Sequence, residues 1–322
     1  MIKKLFQFIS VFTFLLLFLA GGAYLYLQNY LNENISTPET LFIPKGSTKS
    51  VLSHLDKNGI KMQFFDYYLV KLYGFPQAGW IDIGVQNLTR DEFYKKLTSS
   101  KAAVKNVTLI PGETKEIFFQ KLSQKFDFNI SKLFASYEKF APYPDGVIVA
   151  ETYSLPMGIN EEELVKHLVN NSLSEHKKLS HKLLNTYNEK EWFEKYITIA
   201  SIIIKESAGD EEMPLISAVI YNRLKINMPL QMDGTLNYKY QSNTKVTPKM
   251  IREDLSPFNT YKNKGLPPHP ICAVTKEAIE ASINPANVNY LYFMRNISGK
   301  HDFTNSYKKH LLNIKKLKSV KK

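Results

Sequence analysis

The sequence has little cysteine and no recognisable metal-binding spacing, and these two absences exclude a disulfide-stabilised fold and argue against a metal site. Its 322 residues include one cysteine, Cys272, so no disulfide can form within the chain and the fold has to rest on its hydrophobic core. Between Ile271 and Ala273, this cysteine is predicted to be a small buried residue and not a nucleophile. The seven histidines show no HExxH-type spacing, so neither a metal nor another cofactor is expected.

Acidic residues are in the minority. Thirty Asp and Glu face 42 Lys and Arg, which gives a formal net charge of +12. Part of the excess positive charge lies in a predicted basic tail at residues 313–322. Such a tail can be solvated, so this charge does not require a bound ligand. Zinc-finger spacing, RNA-binding aromatic signatures and basic-region heptads are all missing, so no nucleic-acid partner is expected. An anionic lipid or an anionic polymer remains compatible with the charge.

Long hydrophobic runs are absent except at the N-terminus. Residues 5–27 carry no charge, and as a helix they would reach roughly 34 Å, enough for a hydrocarbon core of about 30 Å. A cleaved signal peptide has a shorter apolar region of about 7–15 residues, although small residues at 20–23 offer a cleavage site. Lys3 and Lys4 precede the run and favour a cytoplasmic N-terminus. We predict a tip and single-pass anchor in the cytoplasmic (inner) membrane over residues 1–30, with the rest extracytoplasmic.

Strand–turn–helix patterns follow the anchor. Residues 41–60 read as a strand, a Pro/Gly turn with a Ser cap and an amphipathic helix; residues 108–125 repeat the pattern with a Thr cap. A third version lies at residues 81–97. Small peptidoglycan-binding LysM modules use such units, so residues 31–105 are predicted to form a LysM-like α/β subdomain, with structural scaffolding as the alternative to sugar binding. Further on, residues 147–150 are predicted to be a strand, and residues 161–169 a helix.

The candidate chemistry centres on the segment YITIASIIIKES at residues 196–207. Apolar residues at 196, 199, 200 and 203 share one helical face, and Glu206 continues that stripe. A carboxyl group on a buried stripe loses hydration, which raises its pKa and lets it donate a proton near neutral pH. The alternative is that Glu206 lies at a wet helix end or pairs with Arg223.

Two loops rich in hydrogen-bonding and rigid residues come next. Residues 228–238 follow a second amphipathic helix at 213–224, which has Pro214 near its start. Four prolines and a glycine within residues 256–270 exclude regular helix or central strand and predict a stiff loop that suits the wall of a cleft.

These segments together resemble the membrane-anchored endolytic murein transglycosylases of the MltG type. The likeness covers residues 41–312 and is strongest from residue 145 onward. The matching runs are DGVIVAETY (145–153), ASIIIKES (200–207), YNRL (221–224), LQMDGT (230–235), SPFNTY (256–261), GLPP (265–268), NPA (284–286), YLYF (290–293) and HDF (301–303).

The resemblance implies an α+β fold with an N-terminal transmembrane helix, the LysM-like subdomain and a larger mixed α+β catalytic domain at residues 106–312. It implies a lytic transglycosylase that cuts the bond between N-acetylmuramic acid and N-acetylglucosamine in peptidoglycan, with glycan-polymerising synthases as partners. Glu206 matches the catalytic glutamate. The residues expected to bind substrate are Gln231, Asp233, Thr235, Asn259 and Tyr261.

Three positions depart from the family pattern and leave the glutamate in place. Gly234 stands where proline is usual, His269 where glycine is common and Asp145 where glutamate is usual. Two other functions stay open: a hydrolytic muramidase that uses Glu206 and Asp233, and a wall-binding scaffold that docks on glycan synthases without cutting. His301 is predicted to be structural, with a substrate contact as the alternative.

Overall fold

The computed structural model describes residues 2–84, 86–242 and 244–320. The side chains of residues 2–5 lie outside that description, and so do Lys321 and Lys322 at the end of the predicted tail. The chain divides into two compact units. Unit 1 comprises Met1–Lys105 and Leu155–Gly158, and unit 2 comprises Asn106–Ser154 and Ile159–Lys322.

The first element is a long apolar helix, α1 (Ile2–Leu31). Its stretch Phe6–Leu31 has a mean hydropathy of 2.2, and none of its most apolar window is buried within the protein. The helix is therefore long and apolar enough to cross a membrane, as predicted. It continues past residue 27 because Tyr30 packs into the core of unit 1.

Unit 1 combines short strands with three further helices. In chain order these are β1 (Asn34–Ser36), β2 (Thr40–Ile43), α2 (Thr48–Lys57), α3 (Asp66–Tyr73), β3 (Gly79–Asp82), β4 (Asn87–Thr89) and α4 (Arg90–Ser99). Strands β2 and β3 pair antiparallel, and so do β1 and β4. Ser47 caps α2, while Thr89 and Glu92 form a capping box on α4. The predicted strand–turn–helix units at 41–60 and 81–97 are thus present.

A buried ionic cluster ties the end of α1 to α3 and α4. The Arg90 guanidinium donates to both Asp66 oxygens, at 2.8 and 2.7 Å, and to Glu33 at 2.9 Å. The Tyr30 hydroxyl donates to Asp66 Oδ1 at 2.5 Å. Asp66 and Arg90 are almost fully buried, so each charge depends on the other for compensation. The last turn of α1 is therefore part of the folded unit.

The chain passes between the units within β5 (Val104–Thr108) and β6 (Thr152–Pro156), which pair with each other. Between them lie α5 (Lys115–Phe126) and α6 (Ile130–Phe140). Helix α5 follows the predicted turn at residues 111–114, but the Thr114 hydroxyl donates to the Lys239 carbonyl and does not cap the helix.

The strand predicted at residues 147–150 is wrong, because this segment is irregular and the strand begins at Thr152. Side chains of the following helix take its backbone groups: His176 Nε2 bonds the Val147 carbonyl at 3.0 Å, and Ser172 Oγ accepts from the Val149 N–H at 3.2 Å. Burial lowers the pKa of His176 to about 4, so its ring is neutral near pH 7. Val147 and Ile148 are apolar because they are buried, not because they pair in a sheet.

The rest of unit 2 is mostly helical and includes one pair of strands. Its elements are α7 (Glu161–Leu184), α8 (Glu189–Glu191), a π-helical turn (Trp192–Ile197), α9 (Thr198–Glu206), α10 (Met213–Lys225), α11 (Pro248–Glu253), α12 (Lys276–Ile283), β7 (Tyr292–Arg295), β8 (His301–Thr304) and α13 (Tyr307–Val320). The core helix α9 packs against α10 and α12. Strands β7 and β8 form an antiparallel hairpin. The predicted tail from residue 313 begins inside α13.

Candidate active site

Glu206 is the last residue of α9, and the sequence explains why it comes to rest at a boundary between core and solvent. Ile199, Ala200 and Ile203 on the same face have no exposed surface, so the stripe fixes which way the helix faces. Ser207 then adopts an extended conformation and ends the helix. The Glu206 side chain is partly exposed at the rim of this core.

Gly234 makes the closest contact to the Glu206 carboxyl. It lies in the short 3₁₀ turn Asp233–Thr235, and its N–H donates to Glu206 Oε1 at 2.7 Å. A Cβ atom on Gly234 would lie 2.4 Å from Lys205 Cβ and 3.0 Å from Glu206 Oε1. The turn can approach α9 this closely only because residue 234 has no side chain. A proline here would lack the N–H that makes the bond.

Burial raises the pKa of Glu206 from 4.5 to about 7, since desolvation disfavours the charged form. The Gly234 N–H opposes this effect, the nearby Asp233 charge adds to it, and Arg223 opposes it weakly. A large fraction of Glu206 is therefore protonated near neutral pH. Because Oε1 accepts from Gly234, the proton of the neutral carboxyl lies on Oε2.

Glu206 opens onto a cavity of about 370 Å³ in unit 2. The cavity brings together four of the six predicted site residues, namely Glu206, Gln231, Asp233 and Tyr261. Its other lining residues come from the end of α10 and the loop after it, the β7–β8 hairpin and α13: Arg223, Leu230, Tyr292, Phe293, Met294, Arg295, His301, Tyr307 and His310.

The predicted polar residues at the cavity are held by defined contacts. The Tyr261 hydroxyl donates to Asp233 Oδ1 at 2.6 Å, which fixes one carboxylate oxygen. Gln231 has a left-handed backbone with φ 49°, a strained conformation for a non-glycine residue, and its side chain is exposed. Its N–H donates to the Thr260 carbonyl at 3.1 Å, which holds the residue in that conformation.

Thr235 and Asn259 do not line the cavity, because both are fully buried. The Thr235 hydroxyl donates to the Met232 carbonyl at 2.7 Å. The Asn259 amide donates to the carbonyls of Ile251 and Asp254 at 2.9 and 2.8 Å and accepts from the Tyr261 N–H at 3.1 Å. These two side chains fix the shape of the loops that carry Asp233 and Tyr261.

Arg223 is a cavity residue that the sequence offered only as a possible partner of Glu206. Within the described part of the chain, no ion pair joins the two. Its Nε donates to the Leu291 carbonyl and its Nη1 to the Leu230 carbonyl, both at 2.6 Å. Arg223 therefore links the loop after α10 to the start of the β7–β8 hairpin. The sequence feature that could have identified Arg223 as a site residue is its position in the YNRL motif at residues 221–224.

The cavity residue His301 forms a polar pair with Glu212, which does not itself line the cavity and which no sequence pattern singled out. His301 Nδ1 lies 2.6 Å from Glu212 Oε2, and the His301 N–H donates to Glu212 Oε1 at 2.8 Å. Although burial raises it, the pKa of Glu212 is lowered overall by the hydrogen bonds from His301 and from the Ala208 N–H. The ionised carboxylate thus orients the imidazole. No spacing rule links residues 89 positions apart, so only the structure reveals the pair.

A larger cavity of about 670 Å³ lies beside the second half of α7 and the start of α12. It contains none of the six predicted site residues, and size alone therefore does not identify the site. Among residues 2–84, 86–242 and 244–320, no group of three or more His, Cys, Asp or Glu side chains is placed to hold a metal ion.

Comparisons with known proteins cover the segments that carry these site residues. The sequence model of the YceG-like family matches residues 41–316. The endolytic murein transglycosylase of Bacillus subtilis strain 168 is 30% identical over 90% of this chain and 88% of its own length. The protein of the same name from Streptococcus pneumoniae D39 is 27% identical, and the alignment covers 95% of this chain but 64% of the longer pneumococcal protein.

Among solved structures, a YceG-like protein from Listeria monocytogenes superposes with a TM-score of 0.57 at 24% identity. The match covers 85% of this chain and 97% of that one, and it shows a shared fold.

Proposed function

The chain belongs to the YceG-like family, and from the pocket around Glu206 we propose that it is a membrane-anchored lytic transglycosylase that cleaves peptidoglycan strands internally. The observation that carries the proposal is the Glu206 carboxyl, whose pKa is raised to about 7 at the edge of an open cavity. The B. subtilis and S. pneumoniae relatives, named for this activity, align across 90% and 95% of the chain.

In the proposed reaction, Glu206 Oε2 first acts as a general acid. It gives its proton to the oxygen that links N-acetylmuramic acid to N-acetylglucosamine, and that bond breaks as the muramyl carbon becomes oxocarbenium-like. The acetamide of the same sugar assists the departure. The Gly234 N–H holds Oε1 throughout and stabilises the carboxylate that proton donation leaves behind.

The Glu206 carboxylate then acts as a base. It takes the proton of the muramyl C6 hydroxyl, whose oxygen attacks the anomeric carbon of the same sugar and closes a 1,6-anhydro ring. Water is not consumed, so one carboxyl group completes the cycle, unlike the pair of carboxylates that most glycosidases need. We propose that Gln231, Asp233 and Tyr261 contact the glycan, and that Thr235 and Asn259 support them from within the loops.

We propose that this reaction takes place outside the cytoplasmic membrane. Helix α1 crosses the cytoplasmic membrane with its N-terminus inside, so the pocket faces the wall. There the enzyme would trim or terminate nascent glycan strands beside the synthases that make them. The same proposal includes the interpretation of residues 31–105 as a LysM-like module that binds glycan. Within it, β2, α2, α3 and β3 would form the binding module.

A hydrolytic muramidase is the second candidate, and the position of Asp233 favours it. Tyr261 engages only Asp233 Oδ1, and among described residues Oδ2 has no hydrogen-bond partner. A free carboxylate oxygen in the same cavity as Glu206 could activate water.

Product analysis separates the candidates. The full chain in detergent or bilayers is incubated with purified peptidoglycan, and the fragments are identified by mass spectrometry. Ends in 1,6-anhydromuramic acid are expected for the transglycosylase. Reducing muramic acid ends would identify the hydrolase and overturn the proposal, and an absence of fragments would leave the non-cutting scaffold.

A further inference from the structure

Helix α3 and the turn before it carry an exposed face of aromatic and aliphatic side chains. Phe64, Phe65, Tyr68 and Leu72 are 76%, 44%, 54% and 73% exposed, and Phe75 after the helix is 51% exposed. Positions 65, 68 and 72 lie three or four residues apart and share one side of the helix, and the Phe64 ring in the preceding turn contacts the rings of Phe65 and Tyr68. These five residues are called the α3 aromatic surface below. Folded proteins seldom leave so many large apolar side chains exposed on one element without a partner.

The exposed side of the neighbouring helix α4 differs in chemistry. There Asp91 and Lys95 form a one-turn ion pair of 2.6 Å, as expected of a face in contact with water. The contrast within one unit shows that the composition of the α3 aromatic surface is not a general property of its helices.

The α3 aromatic surface is continuous with the apolar helix α1. The ring of Phe65 lies 6.2 Å from that of Tyr26 and 5.9 Å from that of Tyr30 on α1, measured between centroids. Phe64 contacts Phe65 at 5.3 Å and Tyr68 at 6.1 Å. An unbroken chain of rings therefore leads from the end of α1 onto the exposed face of α3.

The ionic cluster fixes this arrangement. Asp66, the first residue of α3, accepts hydrogen bonds from Tyr30 on α1 and from Arg90 on α4. Because Tyr30 and Asp66 are both buried, α3 cannot move away from α1 without breaking the buried hydrogen bond between them. The depth of α1 in a membrane therefore sets the depth of α3.

That depth follows from the length of α1, and this step rests on the proposed membrane anchor. The uncharged run at residues 5–27 is about as long as the hydrocarbon core is thick, so its last turn, with Tyr26, lies near the outer boundary. Phe65, which touches Tyr26, has to lie at a similar level. Aromatic side chains are enriched at this boundary, where an apolar ring meets the headgroups.

We propose that the α3 aromatic surface inserts into the outer interface of the bilayer that α1 spans and holds unit 1 against the membrane. The partner is the boundary between phospholipid headgroups and acyl chains. Exposed Lys61 precedes the surface in sequence, exposed Lys71 lies between Tyr68 and Leu72, and both favour anionic headgroups. Unit 1 is then held by two contacts, a spanning helix and an interfacial face.

Spin labels on single introduced cysteines test this in the full chain, because the native Cys272 is fully buried and out of reach of the label. Labels are placed by Phe64→Cys, Tyr68→Cys and Leu72→Cys. Ser99→Cys is the matched control, since Ser99 is exposed at the far end of α4, about 13 Å along that helix from Arg90. Phe14→Cys reports on the anchor itself.

The proteins are reconstituted into vesicles of phosphatidylethanolamine and phosphatidylglycerol. Collision of each label with oxygen, which concentrates in lipid, is compared with collision with a water-soluble nickel chelate. Labels at positions 64, 68 and 72 are expected to favour oxygen several-fold more than the label at 99, with position 14 deepest.

Three results would overturn the inference. If position 14 lies in lipid while positions 64, 68 and 72 match position 99, the anchor holds and the surface is not interfacial. If the three labels are shielded from both reagents, protein covers them, as in a contact with a second copy. If position 14 itself is aqueous, the anchor fails and the inference fails with it, whereas the cleavage chemistry is judged separately by product analysis.

Discussion

Glu206 and Asp145 are two carboxyl groups of unit 2 whose pKa burial raises to about 7, and they differ in what surrounds them. Asp145 is 3% exposed, and its oxygens accept from the N–H groups of Gly146 at 2.8 Å and Lys115 at 3.3 Å. It caps the first turn of α5 from a closed interior. Within the part of the chain that the structure describes, Glu206 has a hydrogen-bond partner at Oε1 alone, and its side chain lines an open cavity.

The difference teaches that a raised pKa identifies a desolvated carboxyl group and not an active one. Desolvation is the largest cause in both cases. The nearby Glu116 charge adds to the shift at Asp145, as the Asp233 charge does at Glu206. What separates them is access: a proton donor has to reach the atom that it protonates. Four predictions test this comparison, beginning with the largest effect.

Glu206→Gln is expected to reduce release of muropeptides by about a thousandfold, within the range of 10²–10⁴ attributed to a general acid. The amide fills the same space but cannot donate the proton. Mass-spectrometric quantification of products gives the rate.

Asp145→Asn is the matched control, the corresponding acid-to-amide substitution at a carboxyl group of similar pKa, and it should leave the rate of cleavage near wild type. Normal cutting by Glu206→Gln, or loss of cutting in a folded Asp145→Asn protein, would reverse the assignments.

Asp145→Asn should instead alter the pH dependence of stability. The folded pKa of Asp145 lies above its unfolded value of 3.8, so the folded state binds the extra proton and its stability declines as pH rises from about 4 to about 7. Between pH 5 and pH 8 this one group accounts for about 3 kcal/mol of lost unfolding free energy.

Urea unfolding of the full chain at both pH values should show a flatter profile for Asp145→Asn than for wild type. Glu206 carries a shift of the same sign, so Glu206→Gln should flatten the profile as well. An unchanged profile in both variants would mean that neither carboxyl group is desolvated as the structure indicates.

The cleavage rate of the wild-type enzyme should fall about tenfold per pH unit above pH 7, because the proton on Glu206 is lost near that pH. Initial rates on a soluble glycan substrate between pH 5 and pH 9 measure this limb. In Asp145→Asn the limb should stay where it is. A limb that moves with Asp145 would indicate that the two groups titrate as a coupled pair.

Gly234→Ala should slow cleavage on the order of tenfold, the value of one hydrogen bond to a charged group. The added Cβ forces the turn away from Lys205 and removes the N–H from Glu206 Oε1. Since that bond lowers the pKa of Glu206, the basic limb should also shift to higher pH.

Gly22→Ala in α1 is the control, because a Cβ there meets no atom within 4 Å. A slower Gly234→Ala enzyme whose pH limb has not moved would show that the turn matters for substrate binding and not for holding the carboxyl group.

The sequence pattern predicted those helices and helix caps that depend on residues close together in the chain. The stripe at residues 199, 200 and 203 predicted a helix with its buried face next to Glu206, and the predicted Ser cap marks the start of α2 at Ser47. The same reasoning failed at residues 147–150, where apolar side chains suggested a strand. There the hydrogen bonds go to side chains of α7, which no local pattern records.

The placement of Thr235 and Asn259 shows a second limit. Motif position suggested that all five polar residues would face the glycan, yet only Gln231, Asp233 and Tyr261 reach the cavity. A 3₁₀ turn and the bonds of Asn259 to residues up to eight positions away rotate the other two inward. Which side of a loop a residue faces depends on contacts made after the chain has folded.

The sequence by itself determined the apolar helix at the N-terminus, the strand–turn–helix units of unit 1 and the glutamate beside an apolar helical stripe, because each of these depends on residues a few positions apart. Only the tertiary structure decided that Gly234 bonds Glu206, that His301 rests on Glu212 and that Asp145 is sealed while Glu206 is open. Those relations join residues tens of positions apart, and desolvation and hydrogen bonding act through space, not along the chain.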